Sequence, residues 1–219
     1  MSKKGIIFDM DGTLWDSAEG VAIAWTQTIQ EMYPERTGVT REDIMNVMGR
    51  TMDDIADALF GDLDLMERRI LMDHCCGNEN EYLRQNGGIL YEGLEDTLQI
   101  LKKDYPLFIV SNCQRGYIEA FLEFYGLEEY FEDTECFGNN GLPKGDNIAK
   151  IVRRNGLSDA VYVGDIQGDY EASQKAGIKF IHAAYGFGTI SSPVPKIESL
   201  SELPQVVSGI FGCCDEEQL

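Results

Sequence analysis

Asp9 and Asp11 are the residues of this sequence whose types and spacing most clearly suit chemistry. They stand one residue apart directly after the apolar run of residues 6–8, and Gly12 and Thr13 follow them. If the apolar run is a strand, its alternation sends both carboxylates to the same side. Gly12 lets the backbone turn sharply, so that its N–H groups can face an anion. A nucleophile, an acid and an anion-binding loop fit within this short stretch.

Three further polar features lie where other strands of the chain should end. They are, in chain order, Ser111 with Asn112, Lys144, and Asp165 with Asp169. Open α/β sheets place their sites at the carboxyl ends of the strands. The recurrence of polar residues at these positions is more informative than any one of them.

The elements that must position these residues follow an alternating pattern. From residue 87 onward, short apolar runs alternate with helical patterns, which is the order of a parallel sheet. The predicted strands are residues 5–8, 107–110, 160–163 and 179–184, and the predicted helices are residues 114–125, 147–154 and 169–176. The sequence therefore predicts an α/β fold in which residues 1–15 and 86–219 form one doubly wound parallel-sheet domain. Lys144 is expected just before the second of these helices.

Residues 16–85 have a different character. They contain no convincing strand, and helix starts are predicted at Ser17, Thr40 and Thr51, the last two with an aspartate three residues later. We interpret this segment as an inserted α-helical domain.

The composition excludes some classes of partner. The chain of 219 residues carries 18 Lys and Arg against 38 acidic residues, a formal charge of −20. Because a nucleic-acid surface needs a basic stripe, no nucleic-acid partner is expected. The apolar stretch after the basic N-terminus is too short for a signal peptide or a membrane span, so we expect no membrane association and a cytoplasmic location. Adjacent cysteines at 75–76 and 213–214 suit neither a disulfide framework nor a zinc site, which predicts reduced thiols.

The four polar features together resemble the four motifs of the haloacid dehalogenase (HAD) superfamily, in its order, with a helical cap inserted after the first motif. The chain resembles the phosphatases of that superfamily, and the stretch GLEDTLQILKKDYPLFIVSN (residues 93–112) is similar to phosphoglycolate-phosphatase-like members. The resemblance implies a Rossmann-like core with a C1-type cap. It also implies a Mg²⁺-dependent hydrolase of phosphoric monoesters, acting on a small phosphorylated metabolite through an aspartyl-phosphate intermediate.

The resemblance also implies a role for each motif residue. Asp9 is the nucleophile, since its acyl phosphate is readily attacked by water. Asp11 is the general acid and then the general base. The metal ligands are the Asp9 carboxylate, the Asp11 backbone carbonyl and Asp165. With Asp11 protonated, three aspartates face one lysine, so a Mg²⁺ ion is needed before a phosphate dianion can enter.

The phosphate is expected to lie among the polar groups of the first three motifs, with Lys144 as the catalytic cation. The expected phosphate-binding residues are Asp9, Met10, Asp11, Ser111, Asn112 and Lys144. Thr13 and Asp169 are expected to support these groups from outside the first layer of contacts. Trp15 stands where a smaller aliphatic residue is common in the family.

Two arginines are candidate contacts for the rest of the substrate. Arg50, in the predicted cap, either faces the leaving group or is a solvated residue in a turn, and Arg115 either contacts substrate or is a surface charge. Phosphoglycolate is the nearest named substrate, while nucleotides, sugar phosphates and pyrophosphate stay open. A phosphosugar mutase of the same superfamily is the alternative activity. A monomer or small homo-oligomer is expected.

Overall fold

The fold is described from a computed structural model, which describes residues 3–212; Cys213 and Cys214 lie outside this range. The strands in chain order are β1 (Lys4–Phe8), β2 (Trp15–Asp16), β3 (Ile89–Leu90), β4 (Leu107–Ser111), β5 (Phe131–Cys136), β6 (Asp159–Gly164), β7 (Lys179–Ala183) and β8 (Lys196–Ile197). The helices are α1 (Ala18–Met32), α2 (Arg41–Val47), α3 (Met52–Leu59), α4 (Leu65–Asn86), α5 (Leu94–Leu101), α6 (Tyr117–Tyr125), α7 (Phe137–Asn140), α8 (Lys144–Arg154), α9 (Gln167–Ala176) and α10 (Leu203–Gly212). Two 3-10 segments cover Glu128–Tyr130 and Leu200–Glu202.

Six strands form one parallel sheet in the order β5-β4-β1-β6-β7-β8. Alternation along β1 divides the core between the two faces of the sheet. Ile6 and Phe8 join the larger apolar cluster, which includes residues of α5, α6 and the inserted helices. Ile7 joins a second cluster with Ile148 of α8. The predicted doubly wound α/β fold is confirmed.

The insertion after β1 is helical, as predicted. Helices α1 to α4 lie between β2 and β3, and we call these four helices the cap. Thr40 and Thr51 begin α2 and α3, and the side chain of each accepts a hydrogen bond from the N–H three residues on. Ser17 begins α1 as predicted but makes no side-chain cap. Within the described residues, no helix combines the length and the apolar character needed to cross a membrane.

Several local expectations were wrong. The short antiparallel pair of β2 and β3, at the base of the cap, was not predicted, and Asp16 of β2 falls in the segment expected to lack strands. Strand β5 was also missed, because its sequence FEDTEC is largely polar; it lies at the edge of the sheet, where one side needs no strand partner. Lys144 is the first residue of α8 rather than a residue before it. Helix α6 starts at Tyr117, three residues late, because Gly116 has φ of 90°.

Trp15 joins the base of the cap to the core. Its indole is fully buried and meets the rings of Tyr117, Phe121 and Tyr125 edge-on, at centroid distances of 5.6, 4.9 and 6.2 Å. Such edge-to-face contacts add to the energy of burial. The tryptophan therefore fills a volume between β2 and α6.

Trp15→Ala should lower the free energy of unfolding by about 3–5 kcal/mol, because it leaves a cavity among three aromatic rings. Urea denaturation followed by circular dichroism measures this change. The matched control is Ile89→Ala in the pairing strand β3, where the side chain is 68% exposed; its effect should stay within about 0.5 kcal/mol. Equal effects of the two variants would contradict this role for the indole.

Candidate active site

The register of the sheet brings three of the predicted polar features together at the carboxyl ends of its strands. Phe8 at the end of β1 pairs with Ile109 of β4 on one side and with Val163 of β6 on the other. The residues that follow these three positions, including Asp9 and Asp165, therefore leave the sheet at the same end. Side chains 100 to 160 positions apart in the sequence become neighbours for this reason.

Lys144 connects the first and fourth features. Its ammonium lies 3.0 Å from Oδ1 of Asp9 and 2.6 Å from Oδ1 of Asp169, and all three side chains are buried. Burial by itself would lower the pKa of Lys144, but Asp169 and Asp9 outweigh it, so the pKa is raised above its usual value. The lysine is therefore a fixed positive charge at these strand ends.

Asp169 has two structural tasks. Its Oδ2 accepts hydrogen bonds from the backbone N–H of Asp165 (3.1 Å) and of Ile166 (3.2 Å) at the start of α9, while Oδ1 holds Lys144. Both oxygens are thus occupied by donors from the chain. The expected supporting role of Asp169 outside the first layer of contacts stays a prediction.

Three carboxylates form the most negative part of the site. Ligand oxygens of Asp9, Asp165 and Asp169 all lie within 4.8 Å of one another. Burial and the neighbouring carboxylates raise the pKa of Asp9 and of Asp165. One lysine against three aspartates leaves an excess of negative charge, and hard oxygen ligands at this spacing fit a divalent cation such as Mg²⁺.

Asp11 has hydrogen-bond partners that differ from those of Asp9. The hydroxyls of Ser17 and Tyr117 both donate to its Oδ1, at 2.6 and 2.7 Å, and the two hydroxyl oxygens are 2.8 Å apart. Burial raises the pKa of Asp11, although these two donors oppose the shift. The two aspartates of the first motif therefore have separate environments, one beside the lysine and one beside two hydroxyls.

Gly12 allows the first and fourth motifs to approach each other. Its φ is 79°, and a Cβ placed there would lie 2.1 Å from Oδ2 of Asp165. The same carboxylate oxygen accepts a hydrogen bond from the N–H of Phe187 at 2.7 Å. A side chain at position 12 would therefore displace the carboxylate of Asp165.

The second motif faces both the site and the cap. Ser111 is buried at the end of β4, and Asn112 donates from Nδ2 to the carbonyl of Gly49 in the cap at 2.9 Å. Within residues 3–212 the backbone N–H groups of Met10 and Asn112 donate no hydrogen bond. These unpaired donors, in the loops that follow β1 and β4, suit an anion.

A cavity runs from these motifs into the cap, and we call it the site cavity. Its core side includes Asp9, Asp11, Ser111, Asn112, Cys113, Gln114 and Tyr117, and its cap side includes Val21, Trp25, Ile44, Val47, Met48, Gly49, Arg50, Met52, Ile55 and Glu79. Arg50 lines the cavity, although its side chain is exposed and donates to the carbonyl of Asn46 at 3.1 Å.

Two predicted residues take positions apart from this arrangement. Arg115 is exposed, does not line the site cavity, and donates to the carbonyl of Asn139 at 3.3 Å. Thr13 is fully buried, and among the described residues its hydroxyl finds no hydrogen-bond partner. The expected contact of Arg115 with substrate and the expected supporting role of Thr13 stay predictions.

Three residues of the site were missed by the sequence analysis. In the sequence, Tyr117 has the pattern of a core aromatic residue and Gln114 that of a helix start, so neither was expected in the site. Glu79 lies among other polar residues of α4. Glu79 is only 4% exposed, and its Oε2 accepts a hydrogen bond from Nε1 of Trp25 at 2.5 Å. No local signal distinguishes a buried glutamate from a solvated one in a polar helix, so only the packing of α1 on α4 reveals it.

Comparison with known proteins shows the family to which this chain belongs. The model of the family described as haloacid dehalogenase-like hydrolase matches residues 6–183, more than half of the chain. The chain belongs to this family. It is 28% identical to a phosphoglycolate phosphatase of Vibrio parahaemolyticus (94% of this chain and 96% of the relative) and 29% identical to the pyrophosphatase PpaX of Bacillus pumilus (82% of each). The predicted resemblance to HAD phosphatases is confirmed, and the chain is a HAD hydrolase of phosphoric esters.

Solved structures agree on the fold of this HAD hydrolase. It is similar to CbbY from Rhodobacter sphaeroides, crystallised in complex with phosphate, with a TM-score of 0.78. That match covers 93% of this chain and 96% of the other at 20% sequence identity. The α/β core with a helical cap is therefore the fold of its family.

Glu79→Gln should stabilise this HAD hydrolase more at pH 8 than at pH 5. Burial raises the pKa of Glu79 from 4.5 to about 8, so the folded protein keeps a proton that the unfolded chain releases. Wild-type stability therefore falls as the pH rises through this window, whereas glutamine does not titrate. The free energy of unfolding of the variant minus that of the wild type should therefore increase by roughly 2–4 kcal/mol from pH 5 to pH 8.

Urea unfolding of both proteins at pH 5, 6.5 and 8 measures this difference. The other titratable groups that interact electrostatically with Glu79 are Asp11, Cys75, Cys76 and Tyr117. They are present in both proteins, so subtraction isolates Glu79. A difference that does not change with pH would contradict the protonated, buried state of this side chain.

Proposed function

We propose that this HAD hydrolase is a Mg²⁺-dependent phosphomonoesterase that acts on a small phosphorylated metabolite through an aspartyl phosphate on Asp9. The observation that carries the proposal is the arrangement of Lys144 between two buried carboxylates, Asp9 and Asp169, with a third, Asp165, beside them. A phosphoryl group needs a nucleophile, positive charge and donors in one place. The curated relatives named above, a phosphoglycolate phosphatase and a pyrophosphatase, support an activity on phosphoric compounds.

The proposed ligands of the cation are the carboxylates of Asp9 and Asp165 and the backbone carbonyl of Asp11. Asp169 is assigned outside this set because Lys144 and two backbone N–H groups already occupy its oxygens. When bound, Mg²⁺ would neutralise charge on the carboxylates and on the phosphate oxygens. Lys144 and the unpaired N–H groups of the loops would hold the remaining phosphate oxygens.

In the first step, a carboxylate oxygen of Asp9 attacks phosphorus, and the bond from phosphorus to the ester oxygen breaks. Asp11 gives its proton to the departing alkoxide, which leaves as the alcohol. Because both Ser17 and Tyr117 donate to Oδ1 of Asp11, we place the transferred proton on Oδ2. The raised pKa of Asp11 supports a protonated carboxyl at the start of this step.

In the second step, water attacks the phosphorus of the aspartyl phosphate. Asp11, now ionised, takes a proton from this water, and the bond from phosphorus to Asp9 breaks. Inorganic phosphate leaves and both aspartates return to their first state. Splitting the reaction in this way replaces one difficult displacement with two easier ones.

The division of labour between domains is part of the proposal. We assign residues 1–15 and 86–219 to the core, which binds the phosphoryl group, and residues 16–85 to the cap, which closes the site cavity and selects the leaving group. The hydrogen bond from Asn112 of the core to Gly49 of the cap links the two.

Hydrolysis is favoured over transfer to a second phosphate. A mutase would need free cations in the cap to hold that phosphate. Arg41 forms an ion pair with Asp16, and the guanidinium of Arg50 is exposed and bonded to the carbonyl of Asn46. Of the two arginines only Arg50 lines the site cavity, and Arg41 is already paired with a carboxylate, so together they do not form the cation pair that a second phosphate would need.

Asp9→Asn should reduce phosphate release by at least about 10³-fold, because the amide cannot form the aspartyl phosphate. Release from p-nitrophenyl phosphate with Mg²⁺ measures it. The matched control is Asp146→Asn on α8, a surface residue paired with Lys175, which should keep wild-type activity. Turnover by a folded Asp9→Asn protein at the wild-type rate would exclude the assigned nucleophile.

Mg²⁺ should raise the melting temperature of the wild-type protein, because it relieves repulsion among buried carboxylates. At a concentration 100 times its dissociation constant the expected stabilisation is about 2.7 kcal/mol. Asp165→Asn should show a much smaller shift in the same thermal scan, and EDTA should abolish phosphate release. Full activity in EDTA, with no shift of the melting temperature, would refute the metal dependence.

A further inference from the structure

Glu79 is a buried acid in the site cavity that the proposed reaction does not use. It lies on α4 of the cap, is 4% exposed, and lines the cavity together with Asp9 and Asp11. Nε1 of Trp25 on α1 holds its Oε2 at 2.5 Å. Its carboxyl is therefore held on the cap side of the cavity, whereas the proposed phosphoryl site belongs to the core.

Glu79 has no cationic partner. No Lys, Arg or His forms an ion pair with it in residues 3–212, in contrast to the core carboxylates, which share Lys144. Burial raises its pKa to about 8, and the donors Trp25 and Gln114 offset only part of that shift. A buried acid without a counter-charge is costly unless another group satisfies it.

The rest of the cap wall is apolar apart from Arg50. The apolar residues are Val21, Trp25, Ile44, Val47, Met48, Met52 and Ile55. Arg50 is exposed and bonded to a backbone carbonyl of its own helix turn. A leaving group that enters the cap therefore meets apolar side chains and one carboxyl.

We propose that Glu79 selects the leaving group, and that the substrates are phosphate monoesters whose alcohol carries an amine or hydroxyl donor on an apolar body. This inference rests on the phosphomonoesterase function proposed above. An N–H or O–H donor would satisfy the carboxyl of Glu79, and an ammonium would favour its ionised form by supplying a counter-charge that no residue of the described range 3–212 supplies. The apolar wall would cover the carbon skeleton.

The same geometry disfavours leaving groups with a second anion. A carboxylate or phosphate near Glu79 would lose its hydration among apolar side chains without gaining a buried cation, because the raised pKa keeps Glu79 largely protonated and a neighbouring anion would raise that pKa further. Phosphoglycolate and pyrophosphate each carry such a group. The inference therefore separates this chain from the named activities of its relatives by charge.

A homologous series of substrates tests this selection. The ω-aminoalkyl, ω-hydroxyalkyl and ω-carboxyalkyl phosphates with two to six carbons, together with phosphoglycolate, differ in the terminal group at matched length. Phosphate release with Mg²⁺ gives kcat/KM for each. At the best chain length, the amino or hydroxyl ester should exceed the carboxyl ester by at least about tenfold.

Glu79→Gln keeps the size of the side chain but cannot ionise, so an ammonium of the substrate gains no counter-charge from it. In this variant the ratio of kcat/KM for amino over carboxyl esters should fall by at least about tenfold. Glu81→Gln, an exposed position two residues along the same helix, is the control and should leave the ratio unchanged. A purely structural role for Glu79 would lower activity on all esters alike and leave the ratio intact.

Three results would overturn the inference. They are a wild-type preference for carboxyl esters or phosphoglycolate, equal rates across the terminal groups, and a ratio unchanged in a folded Glu79→Gln protein. If that variant does not fold, inhibition of the wild type by ω-amino and ω-carboxyalkyl phosphonates decides, and equal inhibition overturns the inference. Absence of release from every ester, including p-nitrophenyl phosphate, would instead refute the phosphomonoesterase function.

Discussion

Lys144 shares its single positive charge between two buried carboxylates, Asp9 and Asp169, while Asp165 lies beside them without a cation of its own. An arrangement with this excess of negative charge is unfavourable in a water-poor site unless further positive charge enters. The rest of the site depends on that imbalance. In the proposed function a divalent cation would relieve this imbalance, and with it bound the site would accept a phosphoryl group that the acidic chain would otherwise repel.

The sheet makes this imbalance possible, because it fixes the positions of the charged groups before any ligand binds. Parallel pairing of β1 with β4 and β6 places the carboxyl ends of these three strands side by side. Helices α8 and α9 add Lys144 and Asp169. Asp169 also caps α9 through two N–H groups. The carboxylate of Asp169 thus both caps α9 and pairs with Lys144. A substitution at this position would therefore affect the helix and the charges of the site together.

Two acids illustrate how burial assigns different tasks to the same functional group. Asp11 is buried beside two hydroxyls, and Glu79 is buried beside an indole in an otherwise apolar cap. Both have raised pKa values for the same cause, loss of hydration. Asp11 belongs to the core side of the cavity and is our proposed proton donor, whereas Glu79 belongs to the cap side, where we propose that it selects the leaving group.

The sequence by itself determined the α/β fold, the helical character of the insertion and the motifs of the site. These depend on local signals: apolar runs, cap residues such as Thr40 and Thr51, and the paired aspartates before Gly12. It could not reveal the edge strand β5, whose polar residues resemble a loop, or the hydrogen bond that Tyr117 gives to Asp11, since it joins positions 106 residues apart. Only the tertiary structure decided that Glu79 is buried in the site cavity, because its burial depends on the packing of α1 on α4, which a polar helix does not encode locally.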